Sequence, residues 1–302
     1  MKGSLTLLFL LALLPRALCA ANVILVSIDT LRADRLSCYG YQGNKTPNID
    51  RWAREGIRFE RAYTEYPLTL PAHATLFTGA YPLAHGVLEN VGFSLDSRLA
   101  TLAEVFKRNG YSTGAFIGSY VLSSRFGIAR GFDTYDEEFP VSAEDVVSAT
   151  ALERPAQEVA TRFLKWLEGR RGGDFFAFVH FYDPHMPRPN GYDWEVSQVD
   201  RGIGLIDQYL RRNDLLSNTH IFLVSDHGES LGEHSESGHG LSLYDSTLHV
   251  PLVIRPVAGV APGRRVISQT VSLADVMPTI MQIAGPMGSP RPQPGPASAA
   301  AM

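Results

Sequence analysis

The sequence is poor in cysteine and carries no surplus of either charge. Only Cys19 and Cys38 bear thiols in 302 residues, and Cys19 falls in the leader described next. A disulfide framework and a thiolate metal cluster are therefore both excluded. Basic and acidic residues number 27 and 31, and no basic stripe offers the electrostatic footprint of a nucleic-acid binder. Long apolar runs are missing too. The longest, Leu5 to Leu14, falls short of the roughly 20 residues a spanning helix needs. Lys2 precedes that run, and Pro15 and small residues through Ala21 follow it, the layout of a secretory signal peptide over 1–21. Such a leader sends the chain to a periplasm or the cell exterior; left uncleaved, it would serve as a membrane anchor. From Gly285 the chain is Pro, Gly, Ser and Ala, a composition that predicts a disordered tail over 285–302. The remaining 22–284 are ordinary in apolar content and long enough for one α/β domain.

Within that span the periodicities alternate. Asn22 to Ser27 is a short β-branched run, hence a buried strand. Thr46-Pro47-Asn48 opens a helix with Ile49, Trp52, Ala53 and Ile57 at helical spacing. Leu99 to Asn109 predicts a helix stopped by Gly110, and Tyr111 to Ile117 a strand. Ser123 to Tyr135 predicts an ordered surface loop. Pro155 to Glu168 predicts a helix and Asp174 to Tyr182 a strand. Val196 to Leu210 predicts a helix, His220 to Ser225 and Pro251 to Arg255 strands, and Ser272 to Ala284 a helix. Strands alternating with helices argue for an α/β fold with a largely parallel sheet.

The chemistry concentrates at predicted strand ends, where open α/β sheets place ligands. Asp29-Thr30, Asp183-Pro184-His185 and Asp226-His227-Gly228-Glu229 each follow a strand. Carboxylate beside imidazole suits a borderline divalent ion such as zinc or manganese. Thr69-Leu70-Pro71-Ala72-His73 reads as a loop entering a helix that ends at Gly79. It offers a hydroxyl nucleophile at a helix N-terminus, where backbone N–H groups and the dipole favour an anion. His234, His239 and His249 follow in a Gly-rich stretch. Glycines around His239 let the backbone approach a metal or substrate closely, whereas His234 suits an exposed polar loop.

Taken in order, Asp29-Thr30, Thr69-x-Pro71-x-x-x-x-Leu76-x-Thr78-Gly79, Tyr182-x-Pro184-His185-x-Pro187 and Ser225-Asp226-His227-Gly228 resemble the sulfatase family of the alkaline phosphatase superfamily. Thr46-Pro47-Asn48-Ile49-Asp50, His85-Gly86-Val87, Gly131-Phe132-Asp133, Leu231-Gly232-Glu233-His234 and His249-Val250-Pro251-Leu252 extend the likeness from Asn22 to about Ala284. The resemblance implies an alkaline-phosphatase-like sandwich, mostly parallel, with the C-terminal subdomain reduced or absent. It places Asp29, Asp226 and His227, with Thr69, on the active-site metal. Thr30 falls where many members carry a second acidic ligand. Thr69 takes the nucleophile position, and His185 and His239 the positions beside substrate and leaving group. Asn90 falls near the bound anion, and His73 and Asp183 line the substrate.

The sequence departs from sulfatases proper at the nucleophile. They carry Cys or Ser there, oxidised to formylglycine, with an Arg four residues on; here the residues are Thr69 and His73. Threonine resembles instead the phosphodiesterase, phosphonate-hydrolase and phosphotransferase branches. The implied activity is hydrolysis of a sulfate or phosphate ester, with phosphodiesters and phosphonates favoured over sulfate. The implied partner is an anionic ester of a small molecule, glycan or lipid, with no nucleic acid and no stable membrane span once the leader is removed. The implied cofactor is one divalent ion (Ca, Mg, Mn or Zn), with a second on Asp183, His185 and His239 as the alternative. Two other readings stay open at this stage: a phosphotransferase at the membrane face, and a non-catalytic member that keeps the anion pocket.

Overall fold

Asn22 to Ile28 is buried along its whole length, as a strand covered on both faces must be. It forms the first strand, β1, of a computed structural model that describes residues 21–139, 153–170, 172–185, 190–257 and 265–284. The expected leader (bar Ala21) and the tail over 285–302 lie outside the described residues.

The further strands are β2 (Ile57–Tyr63), β3 (Ser112–Phe116), β4 (Thr134–Asp136), β5 (Phe175–Phe181), β6 (Thr219–Ser225), the short β7 (Ser230–Leu231) and β8 (Ser237–Gly238), β9 (His249–Arg255) and β10 (Arg265–Ser272). The helices are α1 (Pro47–Glu55), α2 (Thr69–Thr78), α3 (Pro82–His85), α4 (Leu102–Arg108), α5 (Ala156–Gly169), α6 (Tyr192–Arg212), α7 (Asp245–Leu248) and α8 (Val276–Ile283). Eight strands make one sheet in the order β10-β2-β9-β6-β1-β5-β3-β4, and β7 and β8 pair separately. All neighbours in the large sheet run parallel except β9, which is antiparallel to both β2 and β6.

Alternation along β1 divides the interior. Val23 and Leu25 face α2, α4 and α8, with Phe77, Phe106 and Ile280 in the same core. Ile24, Val26 and Ile28 face α1, α5 and α6, with Trp52, Phe163 and Ile203. The result is the helix–sheet–helix sandwich expected from the alternating pattern. α6 also fixes α1: the Asn48 and Ile49 backbone N–H groups donate to Asp200 Oδ1 at 3.1 and 2.9 Å, a cap supplied from another helix.

Element boundaries differ from expectation for identifiable reasons. The helix expected from Leu99 begins at Leu102, because Thr101 caps it. Glu104 N donates to Thr101 Oγ1 (3.2 Å) and Thr101 N to Glu104 Oε2 (2.8 Å), a capping box. The surface loop expected through Tyr135 yields to β4 at Thr134, a three-residue edge strand beside β3. Ser272 was expected to begin a helix; instead it ends β10, its hydroxyl accepting from Ala274 N at 3.0 Å, and the α-helix starts at Val276.

Candidate active site

β1 and β6 are parallel neighbours in a register that sets Ile28 beside Ser225. The next residue of each strand is an aspartate, so Asp29 and Asp226 emerge side by side at the carboxyl edge of the sheet. Both are fully buried. On the other flank of β1, Ser27 is paired with His180 of β5. His180 Nδ1 accepts from Gly118 N at 3.3 Å. That leaves Nε2–H to donate to Asp29 Oδ2, also at 3.3 Å.

Across Asp226, the Thr30 backbone N–H donates to Oδ1 (3.2 Å) and the His227 N–H to the same atom (2.9 Å). Thr30 adopts φ 54° in doing so. His227 Nδ1 donates to the Gly228 carbonyl at 3.0 Å, which fixes the tautomer and leaves the Nε2 lone pair free. Gly228 is required here, since a Cβ would lie 2.1 Å from the Ser246 carbonyl oxygen.

α2 presents its N-terminus to this cluster. Thr69 is its first residue, and Thr69 Oγ1 lies 3.3 Å from His227 Nε2. Leu68 has no side chain that can cap the helix, and Asn90 supplies the acceptor, taking the Leu70 N–H at 2.8 Å. One turn on, His73 Nδ1 donates to the Thr69 carbonyl (2.7 Å) while Nε2 accepts from Ser27 Oγ (2.9 Å). Burial, reinforced by neighbouring His180, holds the His73 imidazole well below the usual range and hence neutral.

The small β7–β8 ladder pairs Ser230 with Gly238, which brings Glu229 opposite His239. Glu229 Oε1 accepts from His239 Nδ1 at 3.1 Å. The His239 ring stands 4.4 Å from that of His227 and 5.1 Å from that of His185. His185 stacks on Tyr182 at 4.3 Å. His185 and His239 are the partly exposed members of the cluster.

The sulfatase sequence profile matches residues 21–286. The chain belongs to the sulfatase family. An uncharacterized sulfatase of Escherichia coli is 26% identical over 341 residues, covering 87% of this chain and 67% of the relative. An ulvan-active sulfatase of Formosa agariphila is 25% identical, covering 86% and 61%. Among solved structures, the phosphonate monoester hydrolase of Agrobacterium radiobacter superposes with a TM-score of 0.76 at 25% identity, covering 87% of this chain and 73% of that one. The chain thus spans about two thirds of the length of the curated relatives it matches.

Sulfatases bind a divalent metal, and the donor set in this chain fits one. One ligand atom from each of Asp29, Asp226 and His227 lies within 4.8 Å of the other two. Asp29 Oδ1 and Asp226 Oδ2, both buried, have no hydrogen-bond partner. Burial pushes both carboxyls up, and the charge of Asp29 adds to the rise at Asp226. Two buried carboxylates this close require either protons or a cation. Burial also holds His227 neutral, the form in which imidazole binds a metal.

The remaining expected residues differ in what they contact. Thr30 has a buried hydroxyl with no hydrogen-bond partner. Asp183 follows β5; its Oδ1 accepts from Ala156 N at 2.9 Å, the first residue of α5, and its Oδ2 has no partner. Burial raises its carboxyl to about 7. His234 is not gathered in: it is exposed, with φ 57°, and stacks on Tyr244 at 3.8 Å. His249 donates to the Glu60 carbonyl at 2.8 Å. Ser27 and His180 were missed in the sequence, and Glu229 was named beside Asp226-His227 without a role. Strand register would have found the first two, since alternation sets Ser27 and Asp29 on one face of β1. Glu229 adjoins Asp226-His227, but only the β7–β8 pairing links it to His239.

Proposed function

We propose that the chain is a metal-dependent hydrolase of anionic esters in which Thr69 is the nucleophile, with phosphodiesters and phosphonates preferred over sulfate esters. One observation carries this reading: the Thr69 hydroxyl stands 3.3 Å from the bare Nε2 of His227, at the start of a helix and beside two unpartnered carboxylate oxygens. Asp29, Asp226 and His227 would hold the ion, with the Thr69 oxygen facing it. A bound divalent ion supplies Lewis acidity, lowering the hydroxyl's pKa and offsetting the substrate's charge.

The chain's own residues do the rest. The N-terminus of α2 orients the anion, while Asn90 and His73 hold that turn in place. Thr69 Oγ, its proton lost to solvent beforehand, forms a bond to phosphorus as the bond to the leaving oxygen breaks, and His239 gives that oxygen its proton. Burial alone would strip His239 of its proton, but the hydrogen bond and charge of Glu229 outweigh it and hold His239 above the usual imidazole range. Water then attacks the threonine ester, His239 recovers a proton from it, and Thr69 Oγ is released. Threonine lacks the route to an aldehyde hydrate, which supports phosphorus esters over sulfate. The likeness to a phosphonate monoester hydrolase supports the same preference. The folding unit proposed for this activity is 22–284, exported by the segment before it.

The test is turnover by protein stripped of metal and re-supplied with zinc, manganese, magnesium or calcium. Aryl sulfate, phosphate monoester, phosphodiester and phosphonate substrates would run in parallel. The expected result is metal-dependent phosphodiester or phosphonate cleavage that Thr69→Ala lowers at least about a thousandfold. A sulfate preference, or full activity in Thr69→Ala, would refute the reading.

A further inference from the structure

The chain follows the sheet as far as Asp29, whose N–H donates to the Phe181 carbonyl of β5 at 2.8 Å. It then turns away at Thr30, in the left-handed region of backbone space (φ 54°). A β-branched side chain rarely adopts that conformation, and it persists only where the surroundings enforce it. The enforcing group comes from α6. The hydroxyl of Tyr192, a buried residue at the start of that helix, donates to the Thr30 carbonyl at 2.7 Å and accepts from the Arg32 N–H at 2.9 Å. One phenol thus spans the turn 30–32 and satisfies a backbone group at each end of it.

Held this way, the turn serves the end of β6. The Thr30 N–H donates to Asp226 Oδ1 (3.2 Å) and the Leu31 N–H to Ser225 Oγ (2.9 Å). Ser225 Oγ in turn donates to the His227 carbonyl at 2.6 Å. Asp226 Oδ1 is therefore engaged, while its Oδ2 has no partner. Asp29 and Asp226 repel each other when both are charged, so bonds of this kind are needed to keep Asp226 in place before an ion arrives. Both hydrogen bonds of the phenol go to backbone, and it acts on the ligands through the turn.

We infer that Tyr192 is a positioning residue of the metal centre: by clamping the 30–32 turn it presets Asp226 and His227 for a divalent ion. This rests on the proposed reading of Asp29, Asp226 and His227 as the ligands. Losing a hydrogen bond that orients a ligand weakens metal binding about tenfold to a hundredfold. Tyr192 acts one step further out, which sets the expected loss at about tenfold.

Calorimetric titration of manganese, and separately of calcium, into metal-free protein tests it, with Tyr192→Phe set against Tyr39→Phe. The Tyr39 hydroxyl makes the same kind of bridge between β2 and β9, donating to the Phe59 carbonyl (2.8 Å) and accepting from the Leu252 N–H (3.0 Å). Both variants should lose stability in the metal-free form, since each gives up hydrogen bonds to backbone. Only Tyr192→Phe should bind the ion about tenfold more weakly. If that variant folds only with the ion present, urea midpoints across ion concentrations yield the same constant. An unchanged constant in Tyr192→Phe, or an equal loss in both variants, would overturn the inference and leave the metal centre standing. Wild type that binds neither manganese nor calcium would overturn the reading of the ligands, and the inference with it.

Discussion

The hydrogen bond and charge of Glu229 hold His239 above the usual imidazole range, and in the proposed chemistry this single contact has a kinetic consequence. Glu229→Gln keeps an acceptor in place but removes the charge, so His239 loses its proton at lower pH. The alkaline limb of kcat/KM should move to lower pH, and kcat should fall about tenfold or more for poor leaving groups and little for good ones. A pH–rate profile with two substrates checks this; an unmoved limb would show that His239 is not the proton donor. At this scale the sequence revealed residues that sit in local patterns. Asp29, Asp226 and His227 follow apolar runs, and Thr69 precedes a proline-containing helix start. It concealed those that act through another chain segment. His180 reaches Asp29 only once β5 is laid beside β1, and Ser27 reaches His73 only once α2 packs on that strand.

The element that holds His239 is the β7–β8 ladder, too short to persist alone. Arg32, just after β1, ties it down. Its guanidinium donates to the Glu229 carbonyl (3.1 Å) and to Glu233 Oε1 (2.7 Å), while Glu233 Oε2 accepts from Leu231 N (2.7 Å). Burial works to raise the Glu233 carboxyl, but the hydrogen bond and charge of Arg32 prevail and hold it at about 2, against 4.5 unperturbed. A depressed carboxyl lends stability that is present above about pH 4.5 and is lost as pH falls toward 2. Glu233→Gln should therefore be less stable than wild type near neutral pH, with the gap closing over that window. Urea midpoints at several pH values measure it; a gap independent of pH would place the contribution elsewhere. Among elements, the buried strands and amphipathic helices were legible because burial dictates their periodicity. β10 was not. It is an edge strand, largely exposed and broken by a register shift between Ile267 and Thr270, so neither alternation nor an apolar run marks it. The antiparallel course of β9 is likewise set by its neighbours, with no trace in His249-Val250-Pro251.

Across the large sheet, the carboxyl ends of β1, β5 and β6 lie along one edge, and the cluster is assembled from segments as far apart in sequence as Asp29 and His239. The chain spans about two thirds of the length of its curated relatives, and the side chains invoked in the proposed chemistry run from Asp29, just after β1, to His239, just after β8. The proposed chemistry passes through a covalent ester on Thr69. Rapid quenching of metal-loaded protein during turnover of a 4-nitrophenyl phosphonate, followed by peptide mass analysis, looks for that ester directly. The predicted result is a phosphonyl mass increment on the peptide carrying Thr69, formed within the first turnover and lost as substrate is exhausted. Turnover without an increment at Thr69, or with one at another residue, would contradict the threonine-nucleophile account.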